Sequence, residues 1–410
     1  MTHGAPRISR DSYLFGLSIF LLIAATNILT PLLPAIRDEF GVSISVAGLI
    51  VGSYGLARLS VDLPAGWLAA RVGERRLSLI ALVVLVVASA VGLTAGSVEV
   101  LIVARIGSGI AVGILATVVL SGLSSTATAA NRGKVMSLFH VANNFGIAFY
   151  PMLGGVIGYV IGWRPTFLVT GVLAGVAALI LVPLLLRTDF RAGEATGARK
   201  ADASRILYGR DRAVAIAVTN FGVVANMIHR HGFRNTVMPL YAAAALGLGG
   251  ISIATAIALM SITGLIVATP GGALGDRVGR QRVITAGLAA VAVGDLAFLL
   301  TGDLLTFLVA AAVIGLGDFF TSSQTALLSE VAPPADRTRV LATYRFSADL
   351  GALIGPVALA VVMDAAGAQA AIALAAAILL SASLAAWLLV PRPPAVPRPA
   401  PDAQPGGSVS

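Results

Sequence analysis

Residues 271–282 read GGALGDRVGRQR, and residues 65–76, about 206 positions upstream, read AGWLAARVGERR. Each is a short, basic, glycine-containing turn between two long apolar runs. Such a turn, met twice at this separation, marks a chain built as a duplicated membrane protein whose halves are constructed alike. The duplication extends beyond the turn. Residues 131–151, NRGKVMSLFHVANNFGIAFYP, align without gaps on 336–356, DRTRVLATYRFSADLGALIGP, with Val135 on Val340, Gly146 on Gly351 and Pro151 on Pro356. Asn27–Leu32 (NILTPL) likewise shares the register of Asn235–Leu240 (NTVMPL).

Composition agrees with a membrane protein. Of 410 residues, 57% are hydrophobic and 11% charged, and the mean hydropathy is +0.92. A water-soluble fold has too few charges here to cover its surface. Apolar runs of about 20 residues or more, enough to cross a bilayer as helices, cover 12–36, 45–69, 77–95, 100–121, 135–161 and 166–186. Six more cover 214–240, 251–274, 283–300, 304–329, 340–363 and 370–389. The first run is too long for a signal peptide and lacks a cleavage pattern. The expected fold is an all-α membrane protein of twelve transmembrane helices in two pseudo-symmetric six-helix halves, 1–187 and 213–391. The polar stretch 188–212 reads as a cytoplasmic linker, and the Pro-rich tail 392–410 is expected to be disordered.

Several function classes fall away. The chain has no cysteine, and its four histidines, His3, His140, His229 and His231, show no metal-ligand spacing. No metal, cofactor or catalytic residue is expected, and no nucleophile–base pattern points to an enzyme. No nucleotide-binding GxxxxGK[ST] loop occurs, which argues against primary active transport. With both termini inside, only Arg37 and Arg164 of the 28 Lys and Arg fall in outer loops, while Arg58, Arg105, Arg230, Arg234 and Arg345 lie in spans. The remainder are cytoplasmic, the positive-inside pattern. The net charge of +9 is thus an orientation signal and a contact with anionic lipid headgroups rather than a nucleic-acid footprint.

These residues resemble the major facilitator superfamily over nearly the whole chain. The loop signature G-x-x-x-D-R-x-G-R is matched by Gly272, Asp276, Arg277, Gly279 and Arg280, followed by Arg282. The first half keeps Gly66, Arg71, Gly73, Arg75 and Arg76, but Ala70 replaces the acid and Glu74 an arginine. The resemblance implies that this loop latches the cytoplasmic face, its acid capping a helix start in the opposite half. Arg105 and Gly109 in RIGSGIAVG resemble the span-four signature of proton-driven members. Pro151, Gly154 and Gly155 in YPMLGG resemble the antiporter signature of span five, though small residues there also serve close helix packing. The family implies a monomer of a bacterial inner membrane that exports small amphipathic compounds, of the drug-efflux kind, against protons. Two alternatives stay open: a proton-linked carrier of an organic anion, which a net positive cleft would favour, and a sensor that keeps the fold without flux.

Ionisable residues inside spans are the candidate sites, since each costs about 2.5 to 3.5 kcal/mol at the bilayer centre unless it faces a cavity or partner. Coupling needs a carboxylate that holds a proton when its surroundings are dry and releases it when they are wet. Asp318 fits by its depth. Asp62 and Asp349 fit if Arg58 and Arg345, each four residues upstream on the same helix face, swing away in one state. Asp295 lies on a peripheral span in the family plan and is expected to be structural. Arg58, Arg105, Arg230, Arg234, Asn27, Asn143, Asn144 and Gln324 are the substrate-cavity candidates. Asn226, Arg230 and Arg234 share an α-helical face, with Arg234 placed either in the cavity or near the outer headgroups. Aromatic liners could include Tyr54, Phe145, Phe149, Tyr150, Phe319, Phe320 and Tyr344.

Overall fold

The structure, a computed structural model, describes residues 8–62, 64–128, 131–188, 209–332 and 336–390. The tail 392–410 and most of the linker 188–212 lie outside the described residues. The first half comprises α1 (Arg10–Phe40), α2 (Ile44–Asp62), α3 (Glu74–Leu93), α4 (Val98–Thr126), α5 (Arg132–Ile161) and α6 (Pro165–Arg187). A short helix, Ala65–Val72, carries the chain from α2 to the turn before α3. The second half comprises α7 (Arg210–Leu246), α8 (Gly250–Val278), α9 (Arg280–Leu300) and α10 (Leu304–Leu328). Its last two helices, α11 (337–366) and α12 (368–389), are one hydrogen-bonded run, Arg337–Leu389, broken at Gly367.

The duplication is written in the backbone. Positive φ occurs at Gly41 (61°) and Gly247 (62°), Gly73 (88°) and Gly279 (97°), and Gly162 (86°) and Gly367 (87°). These pairs lie 206, 206 and 205 residues apart and end corresponding helices. Glycine takes this conformation without a Cβ clash, so each pair stops its helix at the same place in its half. The turns are clipped alike too. Arg75 donates to the Leu185 and Leu186 carbonyls at the end of α6, and Gln281 donates to the Ala386 and Trp387 carbonyls at the end of α12.

Backbone polar groups in hydrocarbon must be satisfied within the helix, and the side chains of Tyr159, Leu179 and Leu300 point outward, largely exposed to what would be lipid. The halves meet along α2–α11 and α5–α8. A Cβ on Gly48 would overlap Ala360 and the Pro356 carbonyl, one on Gly55 would lie 3.2 Å from the Ala352 oxygen, and one on Gly155 would lie 2.8 Å from the Gly250 oxygen. The Ser45 hydroxyl donates to Asp364 at 2.8 Å. Apart from the Gly55 contact, which lies midway along α2, these contacts gather at the end of the bundle opposite the Gly73 and Gly279 turns. That end is closed.

Within α7, residues Ile228–Val237 form a π-helix, in which N–H groups bond to carbonyls five residues back. The Thr236 hydroxyl follows the same step to the His231 carbonyl, at 3.0 Å. The wider turn changes which side chains share a face, and this departs from the α-helical reading of Asn226, Arg230 and Arg234.

Candidate functional site

Between the halves lies a cavity of about 770 Å³, lined by α1, α2, α4 and α5 of one half and α7 and α11 of the other. Its lining near the closed end, Leu33, Ile36 and Ile50, is buried, whereas His140, Ala342, Arg345 and Phe346 at the other end are exposed. The cavity therefore opens toward the end that carries the Gly73 and Gly279 turns.

Charges are layered along this axis. Arg105 lies seven residues into α4, roughly 10 Å from the closed end, and Asp62 lies eighteen into α2, roughly 27 Å from it. Arg105 is buried, 4% exposed. Its Nη1 donates to the Ala25 carbonyl at 2.6 Å, and the guanidinium sits 4.6 Å above the Tyr54 ring. The Tyr54 hydroxyl is tied to Thr26 at 2.5 Å, which fixes the ring under the arginine. Nearer the mouth, Arg58 Nε pairs with Asp62 at 3.4 Å. Asp349 of the opposite half comes within hydrogen-bonding reach of Asp62 and feels the charge of both Arg58 and Arg345. All four line the cavity.

A second charged cluster lies inside the C-terminal half. Arg230 of α7 pairs with Asp318 of α10 at 2.6 Å, and Arg234 donates to Ser261 of α8 at 2.7 Å. His229 Nδ1 lies 2.9 and 3.0 Å from the two oxygens of Asp295 on α9, its ring stacked on Phe233. The Tyr344 hydroxyl donates to Gln324 at 3.3 Å.

The expected sites thus separate into two groups. Arg58, Asp62, Arg105 and Asp349 converge on the cavity. Asp318, Arg230, Arg234, Asn27, Asn143, Asn144 and Gln324 are not among its lining residues. Arg234 is 6% exposed and held within its own half, so it does not reach the outer headgroups; the π-helical step turns it toward α8. Asp295 takes its basic partner, His229, from another helix. Of the aromatic candidates Tyr54 alone is in the lining, while Tyr150 and Phe320 are buried in packing and Phe145 and Phe149 are exposed. Asn235, Phe139 and His140 line the cavity without having been named as cavity candidates, and His231 lines it beside them. The repeat offered one signal, because Asn235 stands at the register of Asn27.

The latch loops also differ from expectation. Asp276 pairs with Arg280 of its own half at 2.7 Å, and Arg280 also reaches Glu330 at 2.5 Å, instead of the acid capping a helix across the halves. In the first half Arg71 sits 5.0 Å over the Trp67 ring, and a Cβ at Gly66 would meet nothing within 4 Å. With the two halves apart at this end, each loop finds partners on its own side.

The family model described as Major Facilitator Superfamily matches residues 15–234 and 232–409. The galactose-proton symporter of Escherichia coli (strain K12) is 28% identical over 194 residues, covering 47% of this chain and 40% of the symporter. The cephamycin export protein of Amycolatopsis lactamdurans is 29% identical over 217 residues, covering 52% of this chain and 43% of the exporter. The match thus spans about two-fifths of the length of these relatives. Among solved structures, a bacterial homolog to the human lysosomal transporter Spinster, described as inward-facing and unoccupied, superposes with a TM-score of 0.77. It is 14% identical, over 94% of this chain and 98% of that one.

Proposed function

This chain belongs to the major facilitator superfamily, and from that premise we propose that it is a proton-linked secondary transporter of small amphipathic compounds, working by alternating access. It would sit as a multi-pass protein in the plasma membrane, a bacterial inner membrane, with both termini cytoplasmic and the open end facing inward. The functional unit proposed is a monomer, since one chain lines the whole cavity. The observation that carries this reading is the cavity itself: both halves line it, it is closed at one end, and two carboxylates stand in its lining. Relatives named as a proton symporter and as an exporter support proton linkage and leave the direction to experiment.

The register of α2 against α11 supplies a mechanism. The two helices run antiparallel, with Gly48 against Ala360 and Gly55 against Ala352. Continued toward the mouth at the same pitch, that register sets Arg58 opposite Asp349 and Asp62 opposite Arg345. Closing the mouth in the other half of the cycle would place each carboxylate on an arginine of the opposite half. In the open arrangement Asp62 and Asp349 instead lie close together, and a proton taken up by either carboxylate would cancel the charge that its arginine needs for closure. Proton binding and mouth closure then compete for the same two groups, which links them.

The test is flux in proteoliposomes under an imposed pH gradient, with a panel of lipophilic cations, neutral amphipaths and organic anions. Saturable flux that follows the gradient is expected, and Asp62→Asn or Asp349→Asn should uncouple it, lowering gradient-driven accumulation about tenfold or more. Absence of saturable flux for every compound, or full coupling in both variants, would overturn the reading.

A further inference from the structure

Arg105 differs from every other arginine of the cavity. Arg58 has Asp62, and Arg345 acts on Asp349. Arg105 has no carboxylate within ion-pairing distance among the described residues, and its charge is met only by a backbone carbonyl and the face of Tyr54. With the histidines neutral and both carboxylates ionised, Arg58 and Arg345 balance Asp62 and Asp349, and the lining keeps one positive charge; a proton on either carboxylate only adds to it. That charge sits at the inner blind end.

A buried charge without a counter-charge is expensive, and one that lines a cavity is where an anionic ligand gains most. The guanidinium is also prepared for a ligand. The Ala25 carbonyl takes one N–H, the Tyr54 ring supports one face, and the remaining nitrogens are not among the buried atoms lacking a partner, so they open onto the cavity. Around them Leu29, Leu33 and Ile50 form an apolar wall.

We infer that Arg105 is the anchor of an anion subsite, and that the cargo is an organic monoanion whose carboxylate, sulfonate or phosphate-type group docks on the Arg105 guanidinium while its apolar body lies against Leu29, Leu33 and Ile50. The planar fork of arginine matches two oxygens of such a group. The volume of about 770 Å³ lies within the range of small-molecule pockets. This deepens the transport reading and rests on it for the word cargo, but binding can be measured without flux.

The experiment is calorimetric titration of the full chain in lipid nanodiscs with three probes of one shape: 2-naphthalenesulfonate, 2-naphthylmethanol and 2-naphthylmethylammonium. The sulfonate keeps its charge at every working pH. We expect saturable binding of the sulfonate, weaker binding of the alcohol and least of the ammonium ion. Arg105→Gln should weaken sulfonate binding about ten- to a hundredfold, the range for hydrogen bonds to a charged group, and leave the alcohol unchanged. Arg105→Lys, which keeps the charge but not the fork, should fall between and guards against misfolding of the glutamine variant. Equal sulfonate affinity in the intact protein and in both variants, preference for the ammonium ion, or no sulfonate binding to the intact protein would each overturn the inference. Flux of cations or neutral amphipaths with no anion binding would overturn it while leaving proton-linked transport standing. Anion binding that depends on Arg105, without flux, would do the reverse.

Discussion

Arg105 in the first half and Arg230 in the second are both arginines of membrane-spanning helices, and the molecule treats them oppositely. Arg230 has Asp318 at 2.6 Å within its own half, so its charge is neutralised before any ligand arrives. Arg105 has only the Ala25 carbonyl and the Tyr54 ring, and it lines the cavity. The same residue type therefore serves as a fastening in one half and as an unfilled valence in the other. Burial runs the other way, since the Arg230 side chain is 30% exposed and Arg105 is 4% exposed. The location of the nearest carboxylate distinguishes them.

That contrast can be broken most severely at Asp318. Removing one partner of a buried pair leaves the other uncompensated, so Asp318→Asn is expected to destabilise the protein by about 3 kcal/mol, read as a lowered midpoint in denaturant or heat. The double variant Arg230→Met with Asp318→Leu should recover most of that loss, because the charge and its desolvation are removed together. If the double variant is no more stable than the single one, Arg230 is not a simple fastening.

Asp295→Asn sharpens the comparison at the second buried pair. His229 then faces a neutral amide in an apolar setting, and a smaller loss of about 1 to 2 kcal/mol is expected from one buried hydrogen bond. Transport should persist where the protein folds, since neither residue lines the cavity.

The smallest stability effect belongs to Arg105. Because no carboxylate is left unpaired, Arg105→Gln should change the unfolding midpoint of the ligand-free protein by less than about 1 kcal/mol, and removal of an uncompensated charge could raise it. A loss comparable to that of Asp318→Asn would make Arg105 a structural fastening and remove the contrast. A charge exchange tests the α2–α11 register separately: Arg58→Asp should stop flux, and adding Asp349→Arg should restore part of it if those positions meet when the mouth closes.

Much of the architecture was legible in the residues. The paired turns at Gly73 and Gly279 announced the duplication, and apolar runs of bilayer length placed twelve helices. The pairing of Arg58 with Asp62 followed from a four-residue step on one α-helix. Sites that depend on two helices were less legible. His229 and Asp295 are 66 residues apart, and no local period connects them. The π-helical stretch Ile228–Val237 was not signalled either, and an α-helical period misplaced Arg234 for that reason. Asp318 stood at a suitable depth, but depth does not reveal that Arg230 would occupy its carboxylate.

The sequence by itself determined that this is a duplicated twelve-helix membrane protein, because hydropathy, repeat spacing and glycine turns are local properties that survive without coordinates. Only the tertiary structure decided which charges are spent on one another and which face the cavity. Ion pairing depends on distances of a few ångströms between helices far apart in the chain, and a one-dimensional pattern carries no such distance. The unpaired guanidinium of Arg105 is a property of packing: it is defined by which side chains the fold brought near and which it kept away.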